Sequence, residues 1–424
     1  AIAQTNPAFY GYPFNHVDWY TVESDNFLIH FQKGNSRTAN VVSRVAEEIH
    51  PKITSLYGHK PAEKTSIVLR DRQDYSNGAA YFFDNKIDIW VPSLDTPLRG
   101  THDWFRNVIS HEFTHIVQIG ASMKRKRTKP AVYLQWISYE DVRRPDVLYG
   151  FPKGIVTFPF STVSVPGWLA EGTAQFQRAG LDFDTWDSHR DMLLRTRIMD
   201  ENYLTFDEMG TFSSKSSLER ELVYNQGFAF SIYIAENYGE DALAAITRES
   251  AEKGDHNIDT IIKEATGKTG RQIFEEFIAV RKAEYEEALR NIETTSSIPV
   301  ESEGFYNFYP KYTPDGNKIA YVSNRKRDNS RVSLYVKDLE SDEYLADISI
   351  SEPHAMHNHG KAGINNMGGY TMSCGFQADP MIDYMNKGFD FSPDGNKIIY
   401  SLSRKNKFGE EYNDLYLYTI DSGK

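Results

Sequence analysis

The chain has one cysteine, Cys374, in 424 residues, so no disulfide can close within it. Cysteine usage therefore leaves the redox compartment open. Long apolar runs are missing too: no segment approaches 18 consecutive apolar residues, which argues against a membrane-spanning helix. Positive charge is in short supply. Against 59 Asp and Glu stand 47 Lys and Arg, and the formal charge of −12 argues against nucleic acid or an anionic membrane as partner. Cationic patches exist, such as Lys124-Arg-Lys-Arg-Thr-Lys129, which reads as a solvated surface loop. What the chain has in quantity is apolar and aromatic material, at 40% and 13%, enough for two or three domains with full cores.

The stretch around which the rest is organised is Asn107-Val-Ile-Ser-His-Glu-Phe-Thr-His-Ile-Val-Gln-Ile119. It holds H-E-x-x-H as His111, Glu112 and His115. Residues four apart share one face of a helix, so both imidazoles can reach a single ion. Neutral imidazole suits zinc, which in catalytic sites takes three protein groups and leaves a fourth position to water. Glu112, one step after the first ligand, is placed to take a proton from that water. Trp104, Phe105, Val108, Ile109, Phe113, Ile116 and Val117 surround the triplet with apolar residues. Burying two His and a Glu without a purpose is costly, so surface histidines on an ordinary helix are disfavoured.

A third ligand is needed. Metzincins carry Gly and His at the positions held here by Gln118 and Ala121, so that class is excluded. Downstream, Pro166-Gly-Trp-Leu-Ala-Glu-Gly-Thr-Ala-Gln-Phe176 resembles the W-x-x-E-G-x-A motif of the peptidase MA-like gluzincins, zinc peptidases that take a Glu from a second helix. The resemblance implies Glu171 as third ligand, with Gly172 and Ala174 small enough for close helix approach. It also implies that Tyr224, within Tyr224-Asn-Gln-Gly-Phe228 on a later helix, points at the metal and stabilises the oxyanion. On its own, a helical tyrosine reads equally as a core residue with its hydroxyl satisfied.

Ahead of the motif, Trp19–Glu23 and Phe27–Phe31 alternate around Ser24-Asp-Asn26 as a hairpin, and residues 41–57 have a helical period. Thr65–Leu69 and Lys86–Val91 read as strands. The second of these precedes the zinc helix, as the cleft's edge strand does in gluzincins. Nothing matches the G-x-M-E-N element of the gluzincin aminopeptidases; Gly78-Ala-Ala-Tyr-Phe-Phe-Asp84 stands there instead. The aromatic-rich residues 122–165 form an insertion that either walls the cleft or packs as extra strands. From Glu171 to residue 292 the pattern is mostly helical, and a polar stretch ending at Pro299 reads as a linker.

Beyond it the pattern changes. Tyr312-Thr-Pro-Asp-Gly-Asn-Lys-Ile-Ala-Tyr-Val-Ser323 recurs 79 residues on as Phe391-Ser-Pro-Asp-Gly-Asn-Lys-Ile-Ile-Tyr-Ser-Leu402, each copy followed by a second strand. This is similar to the TolB-like β-propeller repeat, which implies blades and a surface for a protein partner. Between the copies, His354, His357 and His359 could supply metal ligands, but the Gly- and Met-rich setting reads as a loop. Two blades cannot close a ring, so the natural protein is expected to continue. Ala1-Ile-Ala3 resembles the end of a signal peptide, which implies export to the periplasm or outside, and no nearby cysteine supports a lipoprotein anchor.

The expected architecture is thus an N-terminal segment (1–15), an α+β zincin-like metallopeptidase domain (16–292), a linker (293–302) and an all-β, partial propeller (303–424). The expected activity is that of an exported endopeptidase holding one zinc on His111, His115 and Glu171. Glu112 and Tyr224 would be its catalytic residues, and a peptide or protein its substrate. The competing expectation is a zinc-binding scaffold that no longer turns over.

Overall fold

A computed structural model describes residues 17–74, 76–93, 103–123, 133–139, 152–159, 165–212, 215, 217–252, 257–293, 296–304, 307–326, 332–349, 388–405 and 411–423. The Ala1-Ile-Ala3 segment, the basic string 124–129 and the His354, His357 and His359 group lie outside these residues. The architecture is mixed α and β, with helices and several small sheets. Among the described residues no helix is long and apolar enough to cross a membrane.

The first sheet contains β1 (Trp19–Glu23), β2 (Phe27–Gln32), β3 (Thr65–Arg70), β4 (Gly78–Tyr81) and β5 (Lys86–Trp90), in the spatial order β1-β2-β3-β5-β4. Strands β2, β3 and β5 are parallel, and an antiparallel strand closes each edge. Period-two alternation sends Phe27, Ile29, Ile67, Leu69, Ile87 and Ile89 to one face, where all six are fully buried. Two helices cover that face: α1 (Ser36–Tyr57), ended by Gly58 in the left-handed region at φ 60°, and α2 (Trp104–Ser122). The edge strand before α2 is β4. The Lys86–Val91 segment, expected at the edge, is interior, because β4 folds back over it through a turn at Asn85 (φ 51°).

Helices α3 (Gly167–Phe176), α4 (Ser188–Met199), α5 (Ser217–Tyr238), α6 (Ala242–Glu249), α7 (Ile258–Thr266) and α8 (Gly270–Leu289) continue the same apolar cluster. Asp187 caps α4 by accepting from the backbone of His189 and Arg190, and Thr269 with Gln272 forms a capping box on α8. Within the 122–165 insertion, β6 (Tyr133–Tyr139) and β7 (Pro152–Pro159) pair antiparallel.

After the linker, β8 (Asn307–Tyr312), β9 (Lys318–Ser323), β10 (Ser333–Asp338) and β11 (Tyr344–Ser349) form an antiparallel sheet. A second sheet contains β12 (Phe389–Phe391), β13 (Lys397–Lys405) and β14 (Glu411–Thr419). The sequence repeat is a structural repeat. In both copies the Pro-Asp-Gly turn puts glycine in the left-handed region, Gly316 at φ 76° and Gly395 at φ 70°. In both copies the Asp carboxylate also accepts from the backbone two residues on, Asp315 from Asn317 and Asp394 from Asn396, at 3.1 Å. Ala320, Val322, Leu334 and Val336 on one face join Phe389 and Ile398 of the second sheet in a core separate from the first. The opposite face carries Ile319, Tyr321 and Tyr335 with Val300 of the linker. There Glu301 is gripped by Arg325 at 2.6 Å and by the hydroxyls of Tyr321 and Tyr344 at 2.7 and 2.8 Å, while Lys337 donates to the Val300 carbonyl.

Candidate metal centre

Helix α2 is buried on nearly every side: Val108, Ile109, Phe113, Val117 and Ile119 pack into the core, and Phe113 meets Phe27 edge-on at 5.2 Å. His111 and His115, one turn apart, leave it on the face turned toward α3. Glu171 meets them from the second turn of α3, which begins one residue earlier than the sequence suggests. The ligand atoms form a nearly equilateral triangle: His111 Nε2 to Glu171 Oε2 is 3.1 Å, His115 Nε2 to Glu171 Oε2 is 3.3 Å, and the two Nε2 atoms are 3.1 Å apart. His115 is fully buried and Glu171 nearly so.

Atoms this close repel one another through their lone pairs unless a proton or a metal cation sits among them. The spacing fits a small metal ion. Ligands about 2.0–2.1 Å from a tetrahedral ion lie roughly 3.3–3.4 Å from each other, close to the edges of this triangle. His111, His115 and Glu171 are thus a group that could hold a metal ion, and no other such group occurs among the described residues.

Electrostatics point the same way. Burial on its own would raise the Glu171 carboxyl, yet the charges and hydrogen bonds of His115 and His111 outweigh it and hold the pKa down to about 2. Burial would lower the His115 imidazole, and the nearby charges of Glu171 and Glu112 raise it instead. The site is built for a carboxylate anion facing positive charge.

Close backbone contacts fix the geometry around it. Glu112 is 5% exposed and lies under the edge strand: a Cβ on Gly78 of β4 would fall 2.6 Å from Glu112 Oε1 and 2.5 Å from Val108. Only glycine brings β4 so near. The next side chain on that strand to feel Glu112 is Tyr81, whose phenol is pushed up to about 12, first by burial and then by the charges of Asp88 and Glu112. On the other side, α3 and α5 cross with almost no clearance. A Cβ on Gly172 would fall 2.3 Å from the Gly227 carbonyl oxygen, and one on Gly227 would fall 2.9 Å from that of Trp168. Gln118, buried three residues after His115, donates to the Leu169 carbonyl and to Thr247 on α6 at 3.4 Å each, tying α2 to the start of α3.

The structure therefore brings together His111, Glu112, His115 and Glu171, read from the motifs. Tyr224, on α5, is half-buried beside them: its ring is 6.4 Å from that of His111 and within 26° of parallel, with Phe212 behind it at 5.6 Å. Sequence reasoning missed Gly78 and Gly227. Each carried a signal, a glycine inside a strand or a helix, which marks a close backbone approach when the element is otherwise regular. No protein-family model matches the chain, and no curated protein matches it.

Proposed function

We propose that the chain is a zinc-dependent endopeptidase of the gluzincin type, its N-terminal part zincin-like and its C-terminal sheets blades of a TolB-like propeller that binds protein. The observation that carries the reading is the triangle of His111, His115 and Glu171 with Glu112 buried alongside. Two imidazoles and one carboxylate are a donor set that suits zinc. When bound, zinc supplies Lewis acidity toward water and toward a peptide carbonyl.

The remaining steps belong to the chain's own residues. Strand β4 is bonded to β5 on one side and is the last strand of its sheet among the described residues, so its outer edge suits an extended peptide held by main-chain hydrogen bonds. Glu112, beneath that edge, accepts a proton from water as the water oxygen bonds to the carbonyl carbon. It then delivers the proton to the amide nitrogen as the C–N bond breaks. Tyr224, next to His111, donates its hydroxyl hydrogen bond to the carbonyl oxygen as that oxygen gains charge. The test is cleavage of internally quenched peptides, compared with amino-terminal amide substrates, with and without a chelator. Chelator-sensitive internal cleavage supports the reading. An intact peptide library in the presence of a stoichiometric metal overturns it in favour of a binding scaffold.

A further inference from the structure

Behind the metal group lies a buried charged cluster that the proposed chemistry does not use. Arg190, on α4, is 2% exposed, and its Nη2 donates to both oxygens of Asp184 at 3.1 and 3.2 Å. Its guanidinium also lies over the Phe228 ring at 5.1 Å. A buried ion pair adds little net stability over apolar residues of the same size, so its presence calls for another explanation.

Its neighbours supply one. Gln175 stands one helical turn after Glu171 on α3 and is itself 4% exposed. With its amide turned to satisfy both ends, its oxygen accepts from Arg190 Nη1 at 3.0 Å and its nitrogen donates to the Tyr224 carbonyl at 3.0 Å. Asn225, the next residue on α5, donates to the Arg190 carbonyl at 3.0 Å. A fixed positive charge on one side of the amide sets which way it faces. The amide in turn locks the backbone of Tyr224 to the helix that carries Glu171. The Gly172–Gly227 crossing leaves the two helices in contact but does not by itself stop one from turning against the other.

We infer that Gln175 and Arg190 are positioning residues that hold Tyr224 in place beside His111, by bonding its carbonyl to the helix of Glu171. This rests on the reading of Tyr224 as a group that acts on the substrate. The direct test needs no turnover. In the metal-free full chain labelled with 13C-histidine, the His111 ring signal is identified by its loss in His111→Gln. Because the Tyr224 ring lies nearly parallel to it, Gln175→Met should move that signal, whereas surface Lys282→Met should not. The paired change Arg190→Met with Asp184→Leu removes both buried charges and should move it in the same direction. An unmoved His111 signal in the folded variants overturns the inference.

The kinetic arm separates this inference from the reading beneath it. In the zinc-loaded chain, Gln175→Met should lower kcat by about tenfold or more with little change in KM. In a Tyr224→Phe background the same substitution should change kcat by less than about twofold, because its target is already gone. Equal losses in both backgrounds would make Gln175 merely structural. Unchanged turnover in Tyr224→Phe alone would instead remove Tyr224 from the chemistry, leaving the spectroscopic result to decide the positioning role.

Discussion

Gly172 faces Gly227 with no space for a methyl group: a Cβ on the first would fall 2.3 Å from the carbonyl oxygen of the second. The obstacle is backbone, which cannot rotate away as a side chain would. Gly172→Ala should therefore cost more than the roughly 1–3 kcal/mol of ordinary overpacking and push Glu171 off the two histidines. Denaturant unfolding together with metal content checks this. A variant of wild-type stability holding a full equivalent of metal would mean that the helices have slack.

Glu171 closes the ligand triangle from a separate helix, 60 residues beyond His111. Glu171→Ala should leave two imidazoles on one helix and lower metal occupancy well below one per chain. Metal analysis after exhaustive dialysis is the measurement, and full occupancy would send the search for a third ligand elsewhere.

Glu112→Gln keeps size and hydrogen-bonding reach while removing the base. It should retain the metal and near-native stability yet lose about 100- to 10,000-fold in peptide cleavage. Equal activity of wild type and variant would take Glu112 out of the reaction.

Gly78→Ala tests the edge strand. The added methyl would meet Glu112 Oε1 and Val108 inside van der Waals distance, so β4 must lift or Glu112 must move. Cleavage should fall about tenfold or more while the metal stays, since the atoms nearest the added methyl belong to Glu112 and Val108. Loss of metal along with activity would show that the strand supports the ligands as well.

Limited proteolysis should cut between the end of α8 and Val300, where Ile298 is 92% exposed, and leave an N-terminal fragment of about 295 residues. Absence of such a fragment would argue that the two cores are not separable.

What could be read from the sequence was local. The β1–β2 hairpin, the i and i+4 histidines and the Pro-Asp-Gly turns are set by neighbours a few residues apart, and each lies where the pattern put it. The edge strand was misplaced for a physical reason. Gly78-Ala-Ala-Tyr81 has little intrinsic strand preference, while Lys86–Trp90 has a strong one, and which of the two lies outside depends on the fold-back at Asn85. Arg190 and Asp184 were invisible because charged residues ordinarily read as surface. Only the packing of three helices shows that this pair is interior. Glu171 could be found only through a motif, since nothing local links it to a helix far up the chain.

The grip on Glu301 has a consequence for how the two halves are joined. With Val300 and Glu301 fastened to the first C-terminal sheet, the connection between the two cores is about ten residues, spanning at most ~35 Å, and the cores also meet directly: the Tyr412 hydroxyl donates to the Arg72 carbonyl, and Asp74 accepts from the Asn413 backbone at 2.8 Å. A short connection and direct bonds together restrict how far one core can turn against the other. Loosening the grip, for example with Glu301→Ala, would lengthen the connection and leave the Tyr412 and Asn413 bonds to carry more of the join.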